Sequence, residues 1–437
     1  MEHEDLRRRV RALLLANQVK GYSSLLGAHY NYIAPAQDRY HFQWFWDTCF
    51  HVFMLCALGE IKVAEENMRS LFRMQEDDGF VGHMIFWNRL LPHTPTDVVQ
   101  AKLRMESLRP HMSALIQPPL VAQALRRIYR KSNDRLFLME MLPKIISYHE
   151  WLARDRDLDG DGLITIISPS ESGIDWKPAF DEVVGIGERS QARHLLTSKL
   201  FWRIAMIDIS NFLDRYALRP GKRRFAVKEV TVNTAYACDL RALSELCVAA
   251  DLTEQAVLYK NRAEKVGASI LRILYDAQTA AFYDVMSGSN AKLKVLTAMS
   301  LLPLILPEIP QEICVALVER HLNNKEEFFS PYPIPSVAMN DPAFYPKESS
   351  ALWRGPTWPV MNWFIYHSLR AKGFNTEADA LRRSLLALIE HSGFREYYDP
   401  LTGEGYGAKN FTWSGLIVDM EDNGANGSLA SSRRGAA

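Results

Sequence analysis

Four short segments of this sequence set charged groups near tryptophan, a combination suited to a ligand with flat C–H faces and hydroxyl rims. The first is Gln43-Trp44-Phe45-Trp46-Asp47. Asp47 either caps the helix that follows or accepts bonds from neighbouring hydroxyls while the indoles of Trp44 and Trp46 stack on a sugar ring. The second runs from Pro169 to Pro178 and on to Asp181, with Glu171, Asp175 and Asp181 in a stretch that its prolines and Gly173 keep from being helical. It reads either as an acidic surface loop or as a carboxyl partly desolvated beside Trp176, with a pKa raised towards that of a general acid. The third is Trp353-Arg354-Gly355-Pro356-Thr357-Trp358-Pro359. There Arg354 is an ion-pair partner or an anchor for a substrate carboxylate. The fourth spans Arg395 to Ser414 and offers Glu396 and Glu404, with Glu396 the better candidate for burial because Glu404 sits in a Thr-Gly-Glu-Gly turn.

Two carboxyls facing each other across an aromatic cavity are the minimal equipment for glycoside hydrolysis: one protonates the leaving oxygen, the other activates water or attacks the sugar. Asp175 and Glu396 lie 221 positions apart, so only a fold that closes on itself can bring them together. Other chemistries lack their signatures. The chain has no GxGxxG, P-loop, HExxH or GxSxG motif. His41, His51, His83 and His111 show no metal-ligand spacing and read as packing residues. Asp157-Leu158-Asp159-Gly160-Asp161-Gly162 matches the start of a calcium loop, but Ser168 stands where the bidentate acid belongs. An Asx-rich turn is the plainer reading, and no metal is expected.

Helices must position these segments. Apolar residues recur at three and four over 50–58, 64–72, 120–128, 136–152, 196–213, 234–250, 254–274, 313–322, 360–369 and 377–389, which predicts about a dozen helices and little sheet. The N-terminus opens on acids followed by Leu6, Val10, Leu13 and Leu14, an amphipathic helix and not a leader peptide. Aromatic residues concentrate in the inter-helix joins, where they would wall a shared cavity. The expectation is a closed toroid of paired helices forming one domain over residues 1–422, followed by a Gly/Ser/Ala-rich tail (423–437) that reads as disordered.

Composition narrows the function classes. Of 437 residues 48% are hydrophobic, and 51 basic residues balance 51 acidic ones. That balance disfavours disorder, a phosphate-gripping nucleic-acid binder and a polybasic membrane-surface protein. No run reaches the length of a membrane span. Five scattered cysteines without a CxxC pair point away from disulfide staples and zinc, and the expected compartment is the cytoplasm.

At these residues the sequence resembles glycoside hydrolase family 63, in particular the short branch that includes mannosylglycerate and glucosylglycerate hydrolases. The carriers are Trp46-Asp47-Thr48-Cys49-Phe50-His51, Gln117-Pro118-Pro119, Glu171-Ser172-Gly173-Ile174-Asp175, Trp353 to Pro359 with Asn362-Trp363, and Glu396 to Trp413. The resemblance implies an all-α (α/α)₆ barrel and inverting hydrolysis of an α-glycoside without cofactor. By matched position Asp175 would be the acid and Glu396 the base. Tyr40, Trp44, Trp46, Asp47, Gln117, Trp353, Gly355 and Trp358 would line the sugar site, with Trp176 and Arg354 beside them. The chain departs from the family beside its acid, with Ser170 in place of a tryptophan and Trp176 in place of an asparagine. The expected substrate is 2-O-α-mannosyl- or glucosylglycerate. The alternatives are a disaccharide or short oligosaccharide cleaved by an α-glucosidase, or a sugar bound without catalysis.

Overall fold

Where the sequence repeats its apolar residues at helical spacing, the chain is helical, and the caps follow from local chemistry. In the computed structural model, residues 3–24, 26–87, 111–113, 115–175, 177–185, 203, 206–207, 225–347 and 352–420 are described. Trp176, most of the periodic stretch 196–213 and the tail 423–437 lie outside them.

The helices are α1 (His3–Ala16), α2 (Phe45–Leu58), α3 (Ile61–Phe72), α4 (Val121–Ser132), α5 (Arg135–Arg156), α6 (Val230–Ala249), α7 (Thr253–Ser269), α8 (Gln311–Leu317), α9 (Pro359–Ala371) and α10 (Asn375–Ser392). Asp134 caps α5 by accepting from the Phe137 N–H at 3.0 Å, and Glu229 caps α6 by accepting from Val232 at 2.7 Å. Gly59 ends α2 in the left-handed conformation (φ 84°), and Pro359 opens α9, where a missing N–H costs nothing.

These elements close a ring. α2 packs on α4, α4 on α6, and α6 on the 3₁₀ helix Ala298–Ile305. That helix packs on α9, α9 on the turn Thr412–Leu416, and the turn returns to α2. Outside the ring, α3 backs α2, α5 backs α4, α7 backs α6, and α10 backs α9. α8, continued by a π turn over Val318–Leu322, follows the 3₁₀ helix in the chain. The N-terminal α1 backs Thr412–Leu416 and completes the outer layer. The architecture is the expected (α/α)₆ barrel. Burial agrees with the layering: every residue of α2 is buried, whereas α3 buries one face only. Among the described residues no helix is long and apolar enough to cross a membrane.

Small antiparallel ladders decorate the rims: β1 (Gln18–Ser23) with β2 (Ala28–Ile33), β3 (Gln43–Trp44) with β4 (Met84–Ile85), and β5 (Val227–Lys228) with β8 (Val285–Met286). β6 (Tyr275–Asp276) pairs with β7 (Ala281–Phe282), and β9 (Arg395–Tyr398) with β10 (Gly405–Lys409). Because each outer helix returns the chain, the inner elements start at the same end of the ring. The segments singled out by their tryptophans lead into those starts.

The calcium-like turn has an internal cation. The ammonium of Lys228, fully buried, lies 2.5 Å from Asp159 Oδ2 and 2.6 Å from Asp161 Oδ2, and donates to Asn290 Oδ1 at 2.9 Å. A lysine from β5 thus neutralises the carboxylates of the Asx-rich turn. His51 is buried too, its Nε2 2.8 Å from Thr412 Oγ1. Burial drives its pKa down to about 3, so it packs as a neutral ring.

Candidate active site

Glu396 is a buried carboxylate of the fourth segment. β9 carries it inward at 3% exposure, whereas Glu404, at the far end of the hairpin, is exposed and accepts a bond from Tyr406. Oε1 of Glu396 accepts from the Tyr40 hydroxyl at 2.9 Å, and Oε2 accepts from the Ala408 N–H at 2.8 Å. The Arg39 guanidinium stands 3.7 Å from Oε2. Burial raises the Glu396 pKa above the usual carboxylate value, while the Ala408 and Tyr40 bonds and the Arg39 charge pull against it. The Tyr40 phenol is pushed well above its ordinary value, first by burial and then by the Glu396 charge, so it stays a donor.

The approach of Gly407 is what makes this pocket tight. It has φ 68°, and a Cβ there would come within 2.5 Å of Glu396 Oε2. Glycine is required both for the left-handed turn and for the room.

Asp47 forms the second acidic wall. It sits in the first turn of α2, but Trp44 occupies the cap position without any side-chain cap bond. Asp47 accepts from the Trp413 indole N–H at 2.7 Å instead. Its pKa is pushed up to about 7, chiefly by burial and further by the charge of Glu396, against the bond from Trp413. The two carboxyls therefore sense one another across the same space. Trp413 is the residue the sequence reading left out of the site. Its signal was the Phe411-Thr412-Trp413-Ser414 run that closes the fourth segment.

Trp413 is also the hub of the aromatic wall. It meets Trp46 edge-on at 5.6 Å, Phe411 at 4.9 Å, Trp358 at 5.9 Å and Trp353 at 6.3 Å. Trp353 and Trp358 stack face to face at 3.7 Å, and Tyr40 stands edge-on to Trp44 at 6.1 Å. Each such pair adds about 0.5–1.5 kcal/mol beyond its burial, so the wall is stiff. The indole N–H groups of Trp44 and Trp358 are buried and find no acceptor. Gln117, just ahead of α4, accepts from the Trp46 backbone N–H at 3.0 Å.

The second segment reaches this wall through Gly173. A Cβ there would fall 2.5 Å from the Trp46 ring, so the backbone two residues before Asp175 lies flat on the indole. Asp175 itself is half-buried. Its neighbours hold the turn. Glu171, fully buried, pairs with both terminal nitrogens of Arg156 and accepts from the N–H groups of Ile116 and Ile167. It thereby ties the segment before Gln117 to the Asp175 turn. Lys177, also buried, pairs with Glu229 and lies 2.7 Å from Asp284 Oδ2.

Arg354 takes the ion-pair role of the two left open. Both its terminal nitrogens engage Asp181, one at 2.8 Å, with the pair almost wholly buried. Gly355 serves a close approach, though of backbone: a Cβ would meet the Tyr345 carbonyl at 2.8 Å. The third segment thus locks the rim of the site. Of the sequence-predicted residues, Tyr40, Trp44, Trp46, Asp47, Trp353, Trp358 and Glu396 form one connected cluster. Gln117 and the Asp175 turn are attached through Trp46, and Arg354 and Gly355 stand behind.

A family model, the mannosylglycerate hydrolase MGH1-like glycoside hydrolase domain, matches residues 40–414. The mannosylglycerate hydrolase of Thermus thermophilus is 30% identical over 89% of this chain and 95% of its own. The glucosylglycerate hydrolase of Mycolicibacterium hassiacum is 25% identical over 87% and 91%. The crystal structure of the family 63 mannosylglycerate hydrolase from Thermus thermophilus, in complex with Tris and D-glycerate, superposes with a TM-score of 0.80 at 27% identity, covering 95% of this chain and 99% of that one. The matched stretch contains every element of the acidic aromatic cluster, and the chain belongs to the MGH1-like glycoside hydrolase domain family.

Proposed function

We propose that the chain hydrolyses the O-glycosidic bond of a 2-O-α-glycosylglycerate, mannosyl or glucosyl, with inversion. The reading rests above all on Glu396: a buried carboxylate held by Tyr40 and Ala408 beside a cluster of tryptophans, close enough to Asp47 for their charges to interact. The relatives named for mannosylglycerate and glucosylglycerate supply the substrate class. Asp175 donates its proton to the glycosidic oxygen as the C1–O bond breaks. Glu396 takes a proton from water as that water attacks C1 from the opposite face. Hexose leaves as the β-anomer with glycerate, and exchange with solvent returns the proton from Glu396 to Asp175. Such a pair requires roughly 6.5–9.5 Å between carboxyls to admit the water. Asp47 and the indoles of Trp44, Trp46, Trp353 and Trp358 bind the hexose, and the reaction calls on no cofactor. The working compartment in this reading is the cytoplasm.

The test is proton NMR of the anomeric signals from the first minutes of reaction. The panel is mannosylglycerate, glucosylglycerate and α-linked disaccharides. Early β-hexose from a glycerate glycoside is expected. Early β-hexose from disaccharides alone would keep the carboxylate pair and move the aglycone. Ser170, whose buried hydroxyl has no partner, is the place in the acid turn where that difference would originate. Early α-hexose would overturn inversion, and no turnover would favour a binding protein.

A further inference from the structure

A buried general base needs something to keep it ionised. On Glu396 the Ala408 N–H and the Tyr40 hydroxyl are neutral donors. Among the described residues, the titratable groups near it include Asp38, Arg39 and Tyr40 from the loop before β3, Asp47 from α2, and its chain neighbour Tyr397. Arg395, on the same strand, is directed to the Gly407 carbonyl at 3.5 Å, and Lys409 of β10 is exposed. Asp38 and Asp47 are acids and work against ionisation. Among the described residues, Arg39 is the cation that reaches the carboxylate, 3.7 Å from Oε2, with its side chain 53% exposed while that of Glu396 is only 4% exposed. A charge that is wet on one side and faces a dry carboxylate on the other is strong enough to act yet open to screening.

We propose that Arg39 is a positioning residue for the base: its guanidinium holds Glu396 ionised, and its exposure makes that hold respond to ionic strength. This rests on reading Glu396 as the base. Arg39 is not in the aromatic wall, and its neighbour Tyr40 supplies the hydrogen bond that orients the other oxygen. The pair of adjacent residues thus divides the work, Tyr40 by direction and Arg39 by charge.

Two measurements separate the proposal from the reading it rests on. The first is a ¹³C titration of labelled glutamate carboxyls, with Glu396 assigned by its absence in Glu396→Gln. It needs no substrate. In Arg39→Gln the Glu396 midpoint moves to higher pH, by roughly 0.5–1 unit, and Arg39→Lys restores most of the shift. Raising ionic strength moves the wild-type midpoint the same way and leaves that of Arg39→Gln in place. An unmoved midpoint in Arg39→Gln would overturn the proposal. The second measurement is the pH profile of kcat/KM on mannosylglycerate and glucosylglycerate, whose acidic limb reports the base of the free enzyme. The limb of Arg39→Gln follows the titration, so its deficit shrinks as pH rises. Damage to packing alone would lower the whole profile without moving the limb, and would count against Arg39. Activity retained in Glu396→Gln would instead sink the base assignment, whatever the titration shows.

Discussion

At the scale of single residues, burial lifts two neighbouring carboxyls above their ordinary pKa values, and each is opposed by different partners. On Glu396 the Ala408 N–H, the Tyr40 hydroxyl and the Arg39 charge oppose the effect of burial, whereas on Asp47 the indoles of Trp413 and Trp46 and a backbone N–H oppose it and the Glu396 charge adds to it. In the proposed mechanism, replacing Glu396 or Asp175 by its amide removes proton transfer without removing shape. Each is expected to lower kcat by about 10²–10⁴-fold, with ligand affinity measured by calorimetry nearly kept. Asp47 gives a different signature. Its folded pKa of about 7 stands above the ordinary 3.8, so between those values the unfolded chain releases a proton that the folded one keeps. Rising pH therefore favours unfolding across that window, and the penalty is complete above it. Asp47→Asn cannot ionise and still offers an oxygen to Trp413. It is expected to be more stable than wild type at pH 8, by on the order of 1–3 kcal/mol, with the gain fading as pH falls towards 4. Urea midpoints at pH 8 and pH 4.5 decide it. A constant difference at both would mean that the effect is packing and not charge. Activity should fall in the same variant, which would mark Asp47 as a site residue retained at a cost in stability.

At the scale of elements, the site depends on turns whose shape is fixed by buried partners. The β9–β10 hairpin folds over Glu396 only because Gly407 leaves space at φ 68°. Gly407→Ala introduces both strain and contact. The expected result is a loss of about 1–3 kcal/mol in stability and a fall in kcat/KM larger than any rise in KM, read from steady-state kinetics. Glu171 does the same office for the Asp175 turn. Glu171→Gln leaves Arg156 buried with half a partner, for an expected loss of roughly 3–5 kcal/mol, checked by denaturant midpoint. How far these elements were legible follows from where their causes lie. Helices are written in local periodicity, and 120–128 or 377–389 needed nothing else. The apolar run Ala298–Ile305 showed its burial in composition but not its place, an inner wall of the ring. The β1–β2 hairpin went unseen because Gln18–Ser23 is half wet and polar, which blurs any alternation. Carboxylate partners were illegible for another reason. Arg156 for Glu171, Asp284 for Lys177 and Lys228 for Asp161 are chosen by the fold, across 15 to 107 positions, and no local pattern encodes them. The tryptophans were legible because rings are rarely spent on loops without a cavity to wall, yet that pattern could not say that Trp413 is the one that holds Asp47.

At the scale of the molecule, a ring has no spare segment, because its last inner element packs on its first. The seam lies between the chain's two ends. α1 buries Leu6, Val10, Leu13 and Leu14 against the C-terminal turn and α2. Asn17 donates to the Asn410 carbonyl at 3.0 Å, and the Thr412 N–H donates to the Pro35 carbonyl at 2.9 Å. Gly415 fits between the layers so closely that a Cβ would lie 2.8 Å from Met54 and 3.1 Å from Val10. This seam carries Trp413, so a residue some 400 positions earlier supports the indole that bonds Asp47. Val10→Asp tests the connection. Val10 has no exposure to solvent, and an unpaired carboxylate there is expected to cost about 3 kcal/mol or more. If the ring is one cooperative unit, far-UV circular dichroism and tryptophan fluorescence will fall together at a lower urea concentration, and activity will track the folded fraction. If α1 is a separable cover, fluorescence from the Trp413 cluster will change first while helicity holds. The first outcome would make closure of the ring a condition for the acidic cavity, and the second would confine α1 to shielding it.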